Sequence, residues 1–261
     1  MSIKRIKVSL LHTWYHFTHS METWVDIFWN SSLQMLVFAF IAVAFAKSSD
    51  PLHGTYMIAG LVFWNIIWSA QYGITVGVLW EIWSRSFSSL FISPLTFEEF
   101  LIGQAISSAL KAIAAVCVTA FIGNLVFHFS LFQFGWLLPI YFIELFFFGL
   151  AMGMVVLSLI FKWGTDVQSL SWSIVFLVQP FGAVFYPVDT LPSQIRNIAF
   201  LLPTTYVFET IRGQLKNGFV NWPYLGMATL LNVVFLIVSY LVLRATHIAS
   251  KKSGKFARLE G

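Results

Sequence analysis

The sequence predicts an all-α membrane protein with six transmembrane helices. Hydrophobic residues make up 58% of the 261-residue chain and charged residues only 10%, whereas about a quarter of an ordinary soluble domain is charged. Because so few charges cannot cover a water-soluble surface, most of the surface must face lipid. The 28 phenylalanines and 11 tryptophans agree, since aromatic residues fill apolar spans and anchor their ends. These values exclude a disordered chain and argue against a soluble enzyme.

The first 22 residues predict an amphipathic helix that lies in the membrane interface. Apolar residues recur there at helical spacing, while basic residues and histidines occupy much of the remaining surface. His12, His16 and His19 share one face of this helix. We interpret them as polar residues near lipid headgroups, and a metal site is the less favoured alternative.

Six segments approach the length of about 20 mostly apolar residues that a transmembrane helix needs. The predicted spans are 24–46, 56–79, 101–128, 135–161, 169–186 and 224–243. The fifth is short and carries Pro180 and Gly182. Basic residues are concentrated before the first span and after the sixth, which predicts that both termini are cytoplasmic. The expected organisation is an interfacial helix (1–22), a six-span domain (23–246) and a basic cytoplasmic tail (247–261).

The segment between the second and third spans is too polar to cross a membrane. Pro94 breaks the chain, and Thr96 followed by Glu99 forms the pattern of a capping box at the start of the third span. Before Pro94, residues 82–91 predict a short cytoplasmic surface helix that mixes aromatic residues with serines. This helix either docks a soluble partner or rests on headgroups, and topology alone leaves both interpretations open.

The segment between the fifth and sixth spans predicts two short amphipathic helices on the outer side. The first carries Pro192 in its opening turn and ends at Pro203. The second is stopped by Gly213 or Gly218. Two such helices after a proline-broken span favour a re-entrant or interfacial hairpin, which either caps a pathway or serves packing alone.

Polar side chains recur at helical spacing inside three of the spans. They are Asp26, Asn30 and Gln34; Asn65, Ser69, Tyr72 and Thr75; and Ser169, Ser173 and Gln179. Polar groups in hydrocarbon tend to face protein or water, so these stripes either line a pathway or join helices. Two Gly-x-x-x-Gly motifs, which begin at Gly73 and Gly149, favour close helix packing within one chain over a dimer seam. Lys111 and Glu144 are the charges placed most clearly inside spans.

Motifs for several kinds of chemistry are missing from the sequence. There is no His-Glu-x-x-His zinc motif, no Gly-x-Ser-x-Gly nucleophile and no phosphate-binding loop. We therefore expect no cofactor or metal bound by this chain, and an ATP-driven role would require a nucleotide-binding partner.

Two segments resemble the ABC-2 family of exporter permeases. ISPLTFEEFLIG (92–103) resembles the family's loop between spans two and three, and FYPVDTLPSQIRNIAFLLPTTYVFETIRG (185–213) resembles its signature near the fifth span. The resemblance implies a permease in the plasma or inner membrane whose two copies, a homodimer or a pair with a similar permease, enclose a pathway. Each copy would bind one cytoplasmic ATPase subunit, which holds the ATP and magnesium, and no nucleic acid is expected as a partner.

The resemblance also implies roles for individual residues. Those implied to couple to the ATPase are Glu81, Arg85, Phe87, Phe91 and Glu98. Those implied to line the pathway are Asn30, Gln34, Asn65, Tyr72 and Gln179. Those implied to form an outer re-entrant gate are Pro192, Arg196, Pro203, Glu209 and Arg212. The expected substrate is an amphipathic lipid-like or drug-like molecule, or a glycolipid; the alternative is a membrane-embedded enzyme or assembly factor that acts on lipid-linked substrates.

Overall fold

The computed structural model describes residues 3–19, 21, 25, 29, 31–48, 51–86 and 94–253, and within these it is helical without strands. The long helices are α1 (Ile3–His19), α2 (Ser31–Ser48), α3 (Pro51–Trp83), α4 (Phe97–Phe127), α5 (Leu138–Trp163) and α10 (Trp222–Lys252). Between α5 and α10 lie α6 (Leu170–Ser173), α7 (Val178–Phe181), α8 (Ser193–Ala199) and α9 (Pro203–Asn217). Short 3-10 turns occupy Leu131–Leu137, Thr165–Val167, Ile174–Leu177 and Val188–Thr190.

Four segments in the described ranges are long and apolar enough to cross a membrane. They are Leu52–Trp83, Phe97–Phe127, Leu131–Trp163 and Trp222–Lys252. These match the predicted second, third, fourth and sixth spans. The predicted first span is represented by α2, whose apolar stretch Ser31–Ala44 is shorter.

The predicted fifth span is not one continuous helix. It consists of α6, a 3-10 turn and α7. Pro180 in α7 has no N–H to donate to the carbonyl four residues earlier, and its ring clashes with that carbonyl. The proline therefore accounts for the irregular turn at Ile174–Leu177.

Helix α3 lies at the centre of the bundle and packs against α2, α4 and α5. Glycines permit the close approach, because a Cβ added at Gly73 would lie 2.5 Å from Ser108 Oγ on α4. A Cβ at Gly149 on α5 would lie 2.6 Å from the backbone oxygen of Ile67 on α3. Both Gly-x-x-x-Gly motifs therefore serve packing within the chain, as predicted.

The segment 165–185 runs antiparallel to α3. At one end, the side-chain oxygen of Gln168 accepts a hydrogen bond from Trp83 Nε1 at 3.0 Å. At the other end, a Cβ on Gly60 would lie 2.5 Å from the carbonyl oxygen of Val184. The part of α3 between Gly60 and Trp83 is roughly 35 Å long at the α-helical rise. The broken segment thus follows α3 over most of its length.

Local signals in the sequence determine how several helices begin and end. Thr96 Oγ1 accepts a hydrogen bond from the backbone N–H of Glu99 at 3.2 Å, and the Glu99 carboxylate accepts one from the N–H of Thr96 at 3.1 Å. The predicted capping box of α4 is therefore confirmed. Pro203 opens α9, and Gly218 ends it in a left-handed conformation with φ 68°. Of the two predicted stop positions, the structure selects Gly218.

Candidate functional site

One end of the bundle brings α1 against the junction between α3 and α4. Glu81 lies in the last turn of α3 and is buried. One of its carboxylate oxygens lies 3.3 Å from His12 Nδ1, and the other accepts a hydrogen bond from the Ser86 hydroxyl. The hydrogen bond to Glu81 raises the pKa of His12 above its usual value, and the attraction of the carboxylate acts in the same direction.

A second contact ties α1 to the beginning of α4. Arg5 Nη1 lies 3.7 Å from a carboxylate oxygen of Glu99, which is fully buried. Helix α1 therefore contacts both sides of the connection between α3 and α4. We call the group formed by Arg5, His12, Glu81, Ser86 and Glu99 the α1 corner.

The predicted coupling residues lie at or near the α1 corner where the structure describes them. Arg85 is exposed, adopts the left-handed conformation with φ 56° and donates its N–H to the carbonyl of Ile82 at 3.1 Å. Helix α3 thus ends at Trp83, so the first two residues of the predicted surface helix (82–91) belong to α3 instead. Glu98 is half-buried in the first turn of α4. Phe87 and Phe91 lie outside the described residues.

The structure places the predicted pathway residues in different environments. Asn65 is buried and donates its side-chain amide to the carbonyl of Leu61, one turn earlier in α3, at 3.0 Å. Tyr72 is half-buried. Gln34 on α2 and Gln179 on α7 are also half-buried, whereas Asn30 lies outside the described residues.

An aromatic face surrounds Tyr72. Its ring stacks on Trp68 with centroids 4.8 Å apart and planes 9° apart. Trp172 of α6 lies edge-on to Tyr72 at 6.5 Å and stacks on Trp83 at 6.3 Å. We call Trp68, Tyr72, Trp83 and Trp172 the aromatic face. Trp83 and Trp172 are each more than one third exposed, at 39% and 38%, so rings of this face remain accessible.

Gln71 lies beside the polar stripe that the sequence predicts on α3, and the structure gives it a central position. Its amide nitrogen donates to Thr75 Oγ1 at 2.9 Å and to the carbonyl of Ser171 at 3.1 Å. Ser171 belongs to the broken segment, so this buried contact joins α6 to α3. The i, i+4 spacing of Gln71 and Thr75 was visible in the sequence, but the partner 100 residues away was not.

At the opposite end of the bundle, α8 and α9 are held by polar contacts. Glu209 and Arg212, which lie three positions apart on α9, form an ion pair of 2.8 Å. The same Glu209 oxygen accepts a hydrogen bond from the N–H of Val188 at 2.7 Å. Arg212 also reaches the carbonyl of Val184 at 3.4 Å. The pair therefore connects α9 to the chain that leaves the broken segment.

The remaining predicted gate residues surround the start of the two helices. Arg196 donates to the carbonyl of Asp189 at 2.6 Å, and its guanidinium lies 3.6 Å from the Asp189 carboxylate. Pro192 is exposed and directly precedes α8, whereas Pro203 is buried at the first position of α9. The backbone between Val184 and Asp189 thus forms hydrogen bonds with three of the predicted gate residues: Arg196, Glu209 and Arg212.

Glu144 is buried at the contact between α5 and α10. Its carboxylate accepts hydrogen bonds from the Thr229 hydroxyl at 2.5 Å and from the Asn232 amide at 2.6 Å. These bonds satisfy a polar group that would otherwise be costly inside a span. Glu144 thus has a packing role that accounts for its presence. No group of three or more potential metal ligands was found among the described side chains.

Comparison with known proteins identifies one family. Residues 38–244, well over half of the chain, match the family described as ABC-2 family transporter protein. No curated protein matches the chain. The matched range begins in α2 and ends in α10, so it includes the aromatic face, Glu81 and the α8–α9 region.

Proposed function

The chain belongs to the ABC-2 family of transporter proteins, and we propose that it is the permease subunit of an exporter driven by a separate ATPase subunit. The family and the apolar helices make it a multi-pass membrane protein with a transport role. The proposed cargo is an amphipathic lipid-like or drug-like molecule, including small glycolipids. ATP and magnesium belong to the partner in this proposal.

The observation that carries the proposal is the continuity of α3. This single helix contacts the α1 corner through Glu81 and approaches the α8–α9 side of the bundle at Gly60. A rigid helix transmits a displacement applied at one end to the other. Force applied at the α1 corner would therefore reach the loop that Arg212 holds at Val184.

We assign the α1 corner and the adjoining connection to ATPase docking. Arg85 offers an exposed positive charge there, and Glu98 offers a half-buried carboxylate in the first turn of α4. Phe87 and Phe91 are proposed as apolar contacts on the strength of the sequence resemblance. Binding of ATP by the partner would favour one of two packed arrangements of the permease, because the ATP-bound partner would have higher affinity for that arrangement.

The proposed pathway runs along the broken segment and α3. We propose that the chain crosses the membrane six times, with α2 as the first crossing and the segment 165–185 as the fifth. The course of that segment along α3 supports its assignment as a crossing. A route enclosed by two copies of the chain would be lined by the aromatic face, of which Trp83 and Trp172 are exposed, and by Asn30, Gln34 and Gln179. Aromatic rings with polar neighbours suit a substrate that is apolar but carries polar groups.

The proposed orientation places both termini in the cytoplasm of a cell bounded by a plasma or inner membrane. It follows the positive-inside rule, because Lys4, Arg5 and Lys7 lie on α1 and the last helix ends in Lys251 and Lys252. The α1 corner would then face the ATPase, and Pro192, Arg196, Pro203, Glu209 and Arg212 would belong to an outer gate.

Reconstitution with the cognate ATPase subunit tests the proposal. The complex is purified through a tag on the permease, and ATP hydrolysis is measured with wild type, Arg85→Glu and the control Lys216→Glu on α9. We expect Arg85→Glu to weaken association and coupled hydrolysis, and Lys216→Glu to retain both. Unchanged association and hydrolysis in Arg85→Glu would contradict docking at this corner. Turnover of a lipid-linked substrate by the permease alone would favour the enzyme alternative.

A further inference from the structure

We propose that a cleft between α4 and α5 binds one acyl chain of a bilayer phospholipid. The cleft has a volume of about 550 Å³, within the range of ligand-binding cavities. Helices α4 and α5 both pack closely against α3 but make few contacts with each other, so a space remains between them. The floor of this space is formed by Phe63 and Ile66 of α3, which are buried in the core of the bundle.

The length of the cleft matches one leaflet of a bilayer. On α4 it is lined from Ile113 to Asn124, a distance of roughly 16 Å at the α-helical rise. Half of the hydrocarbon core of a bilayer is about 15 Å thick. Asn124 lies in the last turn of α4, so the cleft extends from the middle of this helix toward the end opposite the α1 corner. An acyl chain in the cleft would therefore belong to the leaflet at that end, which is the outer one in the proposed orientation.

The cleft is continuous with the surface of α4 that faces lipid. Ile113 and Phe121 line it and are 47% and 68% exposed, and Leu110 and Leu125 are exposed on the same helix. These residues belong to a candidate membrane span, so the medium around the cleft is hydrocarbon. An unfilled cleft would leave its walls without dispersion contacts, and an acyl chain from the bilayer would supply them.

Polar groups line the end of the cleft where a headgroup would lie. Asn124 is exposed near the end of α4, and Ser130 directly precedes the 3-10 turn Leu131–Leu137. Ser130 Oγ accepts a hydrogen bond from the N–H of Phe132 at 3.3 Å, and a hydroxyl that accepts one hydrogen bond can also donate one. This hydroxyl and the Asn124 amide complement the ester and phosphate oxygens of a phospholipid. Apolar walls with hydrogen-bond donors at one end therefore fit an amphiphile whose tail follows α4.

An acyl chain fits the cleft better than a helix of a second copy does. A 16 Å length of helix about 10 Å in diameter occupies roughly 1,250 Å³, which is more than twice the volume of the cleft. An extended hydrocarbon chain is much thinner than a helix. The inference concerns how the bundle is held in the bilayer, and it does not depend on ATPase docking or on which molecule is transported.

Alkylation of Cys117 tests whether the cleft is occupied. Cys117 lines the cleft, is exposed and is the only cysteine of the sequence, so N-ethylmaleimide reports on this position without any substitution. The full chain is delipidated in detergent and alkylated with and without dioleoyl phosphatidylcholine, and its intact mass follows the reaction. We expect the lipid to slow alkylation on the order of tenfold once its concentration is about ten times its Kd. Glycerophosphocholine, which has the same head without tails, should leave the rate unchanged.

Two tryptophan variants separate the cleft from the remaining surface of α4. Ala120→Trp fills the cleft, whereas the matched control Leu125→Trp places the same ring on the exposed surface of the helix. Native mass spectrometry counts the phospholipids retained by each chain. We expect Ala120→Trp to retain roughly tenfold less lipid than wild type and Leu125→Trp to retain as much as wild type. Asn124→Leu should lower retention by roughly three- to tenfold, the value of one lost hydrogen bond.

Three results would overturn the proposal, and gel filtration with thermal unfolding checks that each variant is folded. The first is an alkylation rate that phosphatidylcholine leaves unchanged, or equal lipid retention by wild type and Ala120→Trp. The second is protection of Cys117 by glycerophosphocholine, because that result assigns binding to the head alone. The third is protection that persists after delipidation and is confined to a dimeric fraction, because a second copy then covers the cleft.

Discussion

His12 Nδ1 lies 3.3 Å from the carboxylate of Glu81, so a histidine of the N-terminal helix is joined to the last turn of α3. The two residues are far apart in sequence, and Glu81 is buried while His12 is half-exposed at its side chain, at 54%. The protonated imidazole is the form that pairs with the carboxylate. We therefore expect the attachment of α1 to the central helix to depend on pH.

The first prediction concerns that dependence. The pKa of His12 is raised from 6.5 by Glu81, so its contribution to stability is fully present below pH 6.5 and is lost as pH rises through the raised value. We expect wild type to have a higher Tm than His12→Gln at low pH, and this difference to shrink as pH rises. Thermal unfolding of both proteins at pH values below and above 6.5 measures this difference in Tm.

A lysine at position 12 provides the control. His12→Lys carries its charge through the whole range, so its Tm relative to His12→Gln should vary much less with pH. A difference between wild type and His12→Gln that is constant from acid to alkaline pH would contradict the role of the protonated pair.

The second prediction uses the backbone of Arg85. A left-handed conformation is unfavourable for residues other than glycine by roughly 1–2 kcal/mol, and Arg85 adopts it at φ 56°. Arg85→Gly relieves this strain, whereas Arg85→Ala removes the same charge but keeps the strained backbone conformation. We expect Arg85→Gly to be about 1 kcal/mol more stable than Arg85→Ala in denaturant unfolding. Equal stabilities would show that the backbone at this turn is not strained.

The same two variants also separate charge from conformation in ATPase docking. Both lack the guanidinium, so both should lower association with the ATPase to a similar extent. A loss of ATPase association confined to one of the two variants would assign the effect to the conformation of the turn rather than to the charge.

The third prediction tests the close approach of α5 to α3. A Cβ on Gly149 would lie 2.6 Å from the backbone oxygen of Ile67 and 2.7 Å from Ala70 Cβ. Backbone cannot move aside as a flexible side chain does, so we expect Gly149→Ala to lower the free energy of unfolding by about 1–3 kcal/mol. Gly226→Ala is the matched control, because no described atom outside the adjoining backbone of its own helix lies within 4 Å of the added Cβ. Alanine also favours the helix by roughly 0.5–1 kcal/mol.

Contacts between near neighbours in sequence could be predicted from the sequence. The Thr96–Glu99 capping box and the Glu209–Arg212 pair each join residues three positions apart on one helix. Helical geometry alone brings such residues together. The break in the fifth span was likewise signalled by Pro180, whose effect is local.

Contacts that depend on packing could not be predicted. Trp83 bonds to Gln168, which lies 85 residues later. That contact exists because the broken segment folds back along α3, and no spacing in the sequence specifies its register. The burial of Asn65, whose amide bonds to Leu61 in its own helix, likewise depends on how the neighbouring helices cover α3.

The fourth prediction concerns the Glu209–Arg212 pair. Arg212 is buried, at 5% exposure, and its removal leaves the partly buried Glu209 without its opposite charge. We expect Arg212→Gln to destabilise the protein by roughly 3 kcal/mol. Glu209→Gln/Arg212→Gln should be less destabilised than the sum of the single variants, because no charge is left unpaired. Chemical denaturation of the three variants measures the coupling, and strict additivity would contradict it.

The fifth prediction separates two residues of the same polar stripe. Tyr72 is half-buried and stacks within the aromatic face, whereas Asn65 is buried and bonded to Leu61. If substrate contacts the aromatic face, Tyr72→Leu should raise the substrate concentration for half-maximal ATPase stimulation by roughly three- to tenfold, the value of one aromatic contact. Asn65→Leu should leave that concentration unchanged, since its amide has no access to the route. Stimulation curves of the reconstituted complexes with a panel of amphipathic compounds make the comparison, and an equal shift in both variants would place the route elsewhere.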